Sequence, residues 1–221
     1  VTVYPFVEGN QAHTSGPNGA ITRVVLHATV SPCINGGARN VASYFQRADA
    51  GGLAHYVVDP NEVVRCADER VSTWHAPPNA GSIGVEMTDP QTGSASRWQD
   101  VAHVQMLRRT AALLADICDR HSLPLVYVDA AGLKAGRRGI TTHHQVSLAF
   151  GQSSHTDPDA AGPFPLALLL GMITPARTPA PGLSAHQMHV RRVAALAALA
   201  RARAVAAHLA HLAHLARGRN R

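Results

Sequence analysis

Three short segments, far apart along the chain, constrain its fold more than any other feature. Val24-Val25-Leu26-His27-Ala28-Thr29 is an apolar, strand-like run that delivers a histidine near its end. Thr142-His143-His144-Gln145 carries a histidine pair, and Ser154-His155-Thr156-Asp157-Pro158 follows closely. Two imidazoles and one carboxylate held on separate elements make a three-ligand set with a fourth position free for water. That is the pattern of a catalytic zinc centre, not of a closed structural one. A chain that uses these residues so must fold with positions 27, 143 and 157 in contact. Each segment alone has a plainer reading: a core histidine, a polar loop, a turn Asp before proline. Their occurrence together favours the site.

The candidate metal ligands are therefore His27, His143 and Asp157. His143 is preferred to His144, since adjacent residues on an extended segment point opposite ways and one of them faces the metal. Glu86 lies in Ser82-Ile83-Gly84-Val85-Glu86-Met87, sharing a face with Gly84 while Ile83, Val85 and Met87 pack on the other. A carboxylate placed there suits proton transfer from water to a leaving amine; a surface Glu on a half-buried strand is the alternative. His155, two residues before Asp157, is a second catalytic candidate, for oxyanion stabilisation or proton donation. Trp74, His75 and Asn79, in Trp74-His75-Ala76-Pro77-Pro78-Asn79, and His55 are candidate substrate contacts, with core packing of Trp74 as the alternative.

Periodicity predicts a strand over 22–29, a helix over 38–47 and a hairpin of 54–59 with 62–66 about Asp59-Pro60-Asn61. A strand at 82–87 and a helix over 99–121, ended before Pro124, follow. Residues 124–129 read as a further strand and 132–139 as a basic loop. The alternation predicts an α/β fold, a central mixed β-sheet flanked by helices. Three prolines within 174–182 mark a linker. The chain thus divides into a catalytic domain at 1–173, that linker, and a basic Ala/Arg-rich helical tail at 183–221.

Charge follows the same division. Residues 176–221 hold eight of the 20 Lys and Arg and no acid, so the first 175 residues carry 12 basic against 14 acidic groups. The high isoelectric point belongs to the tail and does not mark the domain as nucleic-acid binding. A cationic helix of this kind is a candidate for contact with anionic envelope polymers or a membrane surface, a weakly docked Ala-rich extension without a specific role being the alternative. Cys33, Cys66 and Cys118 lack CxxC spacing and are expected to be free, buried thiols, a Cys33–Cys66 bridge being the alternative. No apolar run approaches the ~20 residues of a membrane span, and the first residues lack signal-peptide character.

Six segments, VVLHAT at 24–29, AHYVVD at 54–59, TWHAPPN at 73–79, SIGVEM at 82–87, THHQV at 142–146 and HTDP at 155–158, together resemble a known family. It is the zinc-dependent N-acetylmuramoyl-L-alanine amidases of type 2, whose fold is shared with peptidoglycan recognition proteins and many phage endolysins. The resemblance runs from about Ile21 to Pro165. It implies a zinc-bearing groove on a mixed sheet and cleavage of the amide between the lactyl group of N-acetylmuramic acid and L-alanine. Peptidoglycan is then the partner, and a monomer is expected. His27, His143 and Asp157 fall on the ligand positions and Glu86 on the acid/base position. His155 falls where several members have lysine, so a fixed cation there becomes dependent on pH. Leu148-Ala149-Phe150-Gly151 resembles the phage-lysin versions, which implies synthesis in a host cytoplasm and action on the wall after release. The alternatives are a recognition module that binds without cutting and a cytosolic muropeptide-recycling amidase. Retention of all three ligands with Glu86 opposes the first, and the basic tail favours polymeric wall over fragments.

Overall fold

Residues 23–28 are buried at every position, as the unbroken apolar run Val24-Val25-Leu26 requires of a strand with no solvent face. In the computed structural model, which describes residues 2–173, the strands are β1 (Thr14–Pro17), β2 (Arg23–Ala28), β3 (Tyr56–Val58), β4 (Val63–Arg65), β5 (Val71–Thr73), β6 (Ser82–Met87) and β7 (Gly139–Thr142). The helices are α1 (Gly37–Phe45), α2 (Val101–Arg120), α3 (Ala130–Lys134), α4 (His143–Phe150) and α5 (Leu166–Met172). The linker expected at 174–182 and the helical tail at 183–221 lie outside the described residues.

The main sheet has the order β4-β3-β6-β2-β7, with β3, β6, β2 and β7 parallel and β4 antiparallel at one edge. It is the mixed sheet expected, and β1 pairs with β5 in a separate antiparallel ribbon. Alternation along β2 and β6 divides the core in two. Val24, Leu26, Ile83, Val85 and Met87 pack with Leu107, Leu114 and Ile117 of α2 and Leu169 of α5. On the opposite face, Val57 and Val64 meet Ala38, Val41 and Phe45 of α1, while Val25 meets Leu133 of α3 and Val146 of α4. The β2-to-β3 crossover therefore carries α1 on one face, and the β6-to-β7 crossover places its long helix α2 on the other before α3 returns to the first. The carboxyl ends of β2 and β6 lie where these connections diverge, the place where open α/β sheets hold ligands.

Three local expectations are corrected. Segment 124–129 forms no named strand; Tyr127 makes an isolated bridge to Ile140. The expected basic loop at 132–139 begins inside α3, because the Asp129 side chain accepts from Gly132 N and caps that helix. His143 and His144 are not on an extended segment: the Thr142 side chain accepts from Gln145 N, so both open α4. The hairpin of β3 and β4 forms with Tyr56 opposite Arg65. All three cysteines are free and buried. Burial pushes the Cys66 thiol up to about 12 and that of Cys118 to about 11, so neither supplies a thiolate at neutral pH. Among the described residues no helix is long and apolar enough to cross a membrane.

Candidate active site

His27 near the end of β2 and Glu86 on β6 are register partners in the parallel pair, so both side chains leave the same face. His143 enters from the start of α4, directly after β7. Asp157 arrives on the loop beyond α4, and its carbonyl accepts from His144 N at 3.0 Å. His27 Nδ1 lies 3.2 Å from Asp157 Oδ2 and His143 Nδ1 lies 3.3 Å from Asp157 Oδ1. One ligand atom from each of His27, His143 and Asp157 falls within 4.8 Å of the others, and all three residues are buried. His144 points elsewhere, its Nδ1 bonding Asp159 Oδ2 at 3.2 Å. One residue along a helix turns the side chain by about 100°, which separates the two histidines here.

The electrostatics fit a cation. Burial, with His27 adding to it and Asp157 opposing, holds His143 below the ordinary histidine value. Burial alone would raise Asp157, but the facing imidazoles of His143 and His27 outweigh it and hold the carboxyl far below the usual range. His143 Nε2 is engaged by Ser153 Oγ at 3.1 Å, while His143 Nδ1 is buried without a hydrogen-bond partner. An orphaned buried nitrogen beside an ionised carboxylate is costly unless something positive satisfies both. Neutral imidazole and carboxylate are donors suited to Zn²⁺, and these residues fit it.

Glu86 Oε1 stands 3.9 Å from His27 Nδ1, and Oε2 is buried with no partner. Burial, and then the charge of Asp157, push this carboxyl well above its ordinary value. His155 stacks on His143 with ring centroids 4.5 Å apart and its Nδ1 3.4 Å from Asp157 Oδ1, on the open side of the site. The group forms one wall of a cleft of about 880 Å³ that continues past Trp74 to Leu53, Val41 and Tyr44.

The expected substrate contacts separate under this geometry. Trp74 lines the cleft and is partly exposed, its Nε1 donating to Ser15 Oγ at 2.6 Å. His55 is fully buried: Nε2 donates to Val71 O at 2.9 Å and Nδ1 accepts from Gly84 N at 3.1 Å. No ring edge remains for a ligand, so His55 ties strands together, and burial pulls it down to about 4. Asn79 lines the cleft, yet its Oδ1 accepts from the N–H groups of His75 and Ala76 and so shapes the loop. His75 has both ring nitrogens engaged, Nδ1 with His27 Nε2 and Nε2 with Ser82 Oγ, each at 3.0 Å.

Ser153, Gln91, Ser82 and Gly84 escaped the sequence reading. Gln91 lines the cleft and donates from its side chain to Ala28 O. Gly84 had a signal, since glycine inside a strand pattern marks a close approach. A Cβ there would lie 2.7 Å from His75 Cγ. Gly84→Ala is accordingly expected to cost about 1–3 kcal/mol through overpacking and to displace the His75 ring. Urea unfolding of the variant checks the first, and its crystal structure the second.

The sequence profile of the family described as N-acetylmuramoyl-L-alanine amidase matches residues 17–160. Among solved structures, the Staphylococcus aureus hydrolase AmiA in complex with its ligand is similar at 18% identity and a TM-score of 0.58, over 78% of this chain and 84% of that one. A mutant endolysin from Bacillus subtilis superposes at 14% identity and a TM-score of 0.54, over 79% of this chain and all of the other. An AmpD derivative does so at 15% identity and a TM-score of 0.53, over 79% and 96%. At such identities the likeness speaks for the fold. No curated protein sequence matches the chain. Because the family match covers most of the described domain, the chain belongs to the N-acetylmuramoyl-L-alanine amidases and is an enzyme acting on peptidoglycan.

Proposed function

We propose that this amidase is zinc-dependent and works as a phage endolysin, cutting the bond between N-acetylmuramic acid and L-alanine in polymeric wall. The observation that carries the reading is the convergence of His27, His143 and Asp157 within 4.8 Å, with Glu86 on the adjoining strand. His27, His143 and Asp157 would hold the cation. When bound it supplies a Lewis acid that polarises the amide carbonyl and acidifies water.

The remaining work falls to the chain's own groups. Glu86 in its carboxylate form accepts a proton from the attacking water and returns it to the departing nitrogen of L-alanine, and the buried site stabilises the protonated form between the two transfers. His155, on the open side, meets the carbonyl oxygen as negative charge develops there. The cleft past Trp74 toward Tyr44 receives the polymer. The uneven charge supports a wall substrate, because the eight arginines of residues 176–221 stand against a domain with a slight acidic excess. Synthesis in a host cytoplasm and action on the wall after release belong to the same reading.

Purified peptidoglycan digested by native, EDTA-treated and zinc-restored protein tests it by mass spectrometry. Stem peptides with a new L-alanine amino terminus are expected, lost with EDTA and regained with zinc. Cleavage that survives EDTA would remove the zinc. Activity on soluble muropeptides but not on intact sacculi would replace the endolysin with a recycling enzyme.

A further inference from the structure

His27 has two ring nitrogens, and the cation site needs the lone pair of one of them, Nδ1. An imidazole presents that lone pair only in the tautomer that carries its proton on Nε2. The structure contains a line of hydrogen bonds whose direction is set from its far end. Ser82 Oγ donates to the carbonyl of Asn79 at 2.5 Å, and a carbonyl can only accept. The single hydroxyl proton of Ser82 is thereby committed. Ser82 Oγ must then accept from His75 Nε2, 3.0 Å away, so the proton of His75 sits on Nε2. His75 Nδ1 is left as an acceptor and takes the Nε2 proton of His27 across 3.0 Å. That leaves a lone pair on His27 Nδ1 3.2 Å from Asp157 Oδ2, two acceptors that converge on the cation site.

We infer that His75 and Ser82 are positioning residues that lock His27 in its Nε2–H tautomer through a one-way hydrogen-bond chain anchored on the Asn79 carbonyl. The inference rests on the zinc reading above for its purpose, but not for its geometry. The backbone supports the same arrangement. Asn79 Oδ1 holds the His75 N–H at 3.1 Å, fixing the loop that carries the ring. Gly84 leaves the space the ring fills. His55 packs edge-on against that ring, with centroids 5.8 Å apart. Outer partners of this kind set the tautomer and orientation of a ligating histidine, and losing one typically weakens metal binding by about 10–100-fold.

Two measurements on the full chain test the lock. Long-range ¹H–¹⁵N correlation spectra of the metal-free protein at neutral pH report each tautomer directly. His27 and His75 are both expected with the proton on Nε2; a proton on His27 Nδ1 would overturn the inference. Ser82→Ala, a small change in a strand, is expected to release His75 into a mixture of tautomers, and an unchanged His75 spectrum would count against the anchor.

Zinc affinity, measured by competition with a chromophoric chelator, is the second readout. His75→Phe fills the space without an acceptor and is expected to bind about 10–100-fold more weakly. His75→Asn offers an amide oxygen near the position of Nδ1 and is expected to recover most of that loss. Equal weakening in both variants, or none in His75→Phe, would mean that the ring only fills space. If the parent protein itself takes up no zinc, the cation reading fails, while the tautomer spectra still decide the lock.

Discussion

Glu86→Gln is expected to lower turnover of peptidoglycan by about 10²–10⁴-fold while zinc affinity and thermal stability stay close to those of the parent. Glutamine keeps the shape of the side chain and its fit beside His27, where Oε1 lies 3.9 Å from Nδ1. What it removes is the exchangeable proton. In the parent, burial and the neighbouring charge of Asp157 hold the Glu86 carboxyl well above its ordinary value, and Oε2 has no protein partner to satisfy it. A group so placed is free to bond to water or to the leaving nitrogen. Removing an interaction made only during reaction lowers kcat and kcat/KM together. Product release from purified wall, followed at several substrate loads, separates that outcome from weaker binding. Retention of more than roughly a tenth of the parent rate would show that another group carries the proton, and His155 stands next in line.

The second large effect is on stability. Asp89→Ala is expected to destabilise the fold by about 3–5 kcal/mol, the cost of stranding buried partners when one member of a buried ion cluster is removed. Asp89, two residues beyond β6, is fully buried. Its Oδ1 accepts from Arg97 Nε at 2.8 Å and His103 Nε2 at 3.0 Å, and its Oδ2 from Arg97 Nη2 at 3.0 Å and Gln91 N at 3.1 Å. Deleting the carboxylate leaves the Arg97 guanidinium without its counter-ion and His103 with Asp100 alone. For a domain of this size the melting temperature should fall by roughly 10 °C.

The same cluster sets a pH dependence. Burial lowers the His103 value, but hydrogen bonds to Asp89 and Asp100 outweigh it and raise it from 6.5 to about 10. A raised folded-state value means the contribution is complete below the unfolded value of 6.5 and is lost as pH climbs toward about 10. The parent should therefore lose stability across that window, and Asp89→Ala should lose much less. Urea unfolding of both proteins at the two ends of the window checks the sign. An equal slope in the two would show that His103 does not draw its charge from Asp89.

Much of this was legible in the chain, and the reasons differ from residue to residue. The strands β2 and β6 were readable because their apolar runs have no other use, and α2 because its apolar period persists over five turns. His27, His143 and Asp157 were readable as a set because metal-binding residue types recur at the ends of otherwise apolar segments. The helix that carries His143 was missed although Thr142-His143-His144-Gln145 has the threonine and glutamine spacing of a capping box. Its polar start resembles a loop, and the apolar positions that define it come only afterwards. His55 and His75 could not be told apart from a substrate-binding pair. Both neighbour an aromatic residue in sequence, and their difference lies in what β6 brings beneath them: Gly84 N to His55 and Ser82 Oγ to His75. Asp89 gave no signal at all, since its partners sit 8 and 14 residues away on other elements.

Strand β6 places Ser82, Gly84 and Glu86 on one face and Ile83, Val85 and Met87 on the other. A slip of one residue against β2 would exchange the two sets, driving three apolar side chains into the cleft and a carboxylate into the layer beneath α2. The same error would thus empty the active site and spoil the core. A misregistered molecule could not survive as a folded but silent impostor, so in any refolded preparation the active fraction should count the native fraction directly.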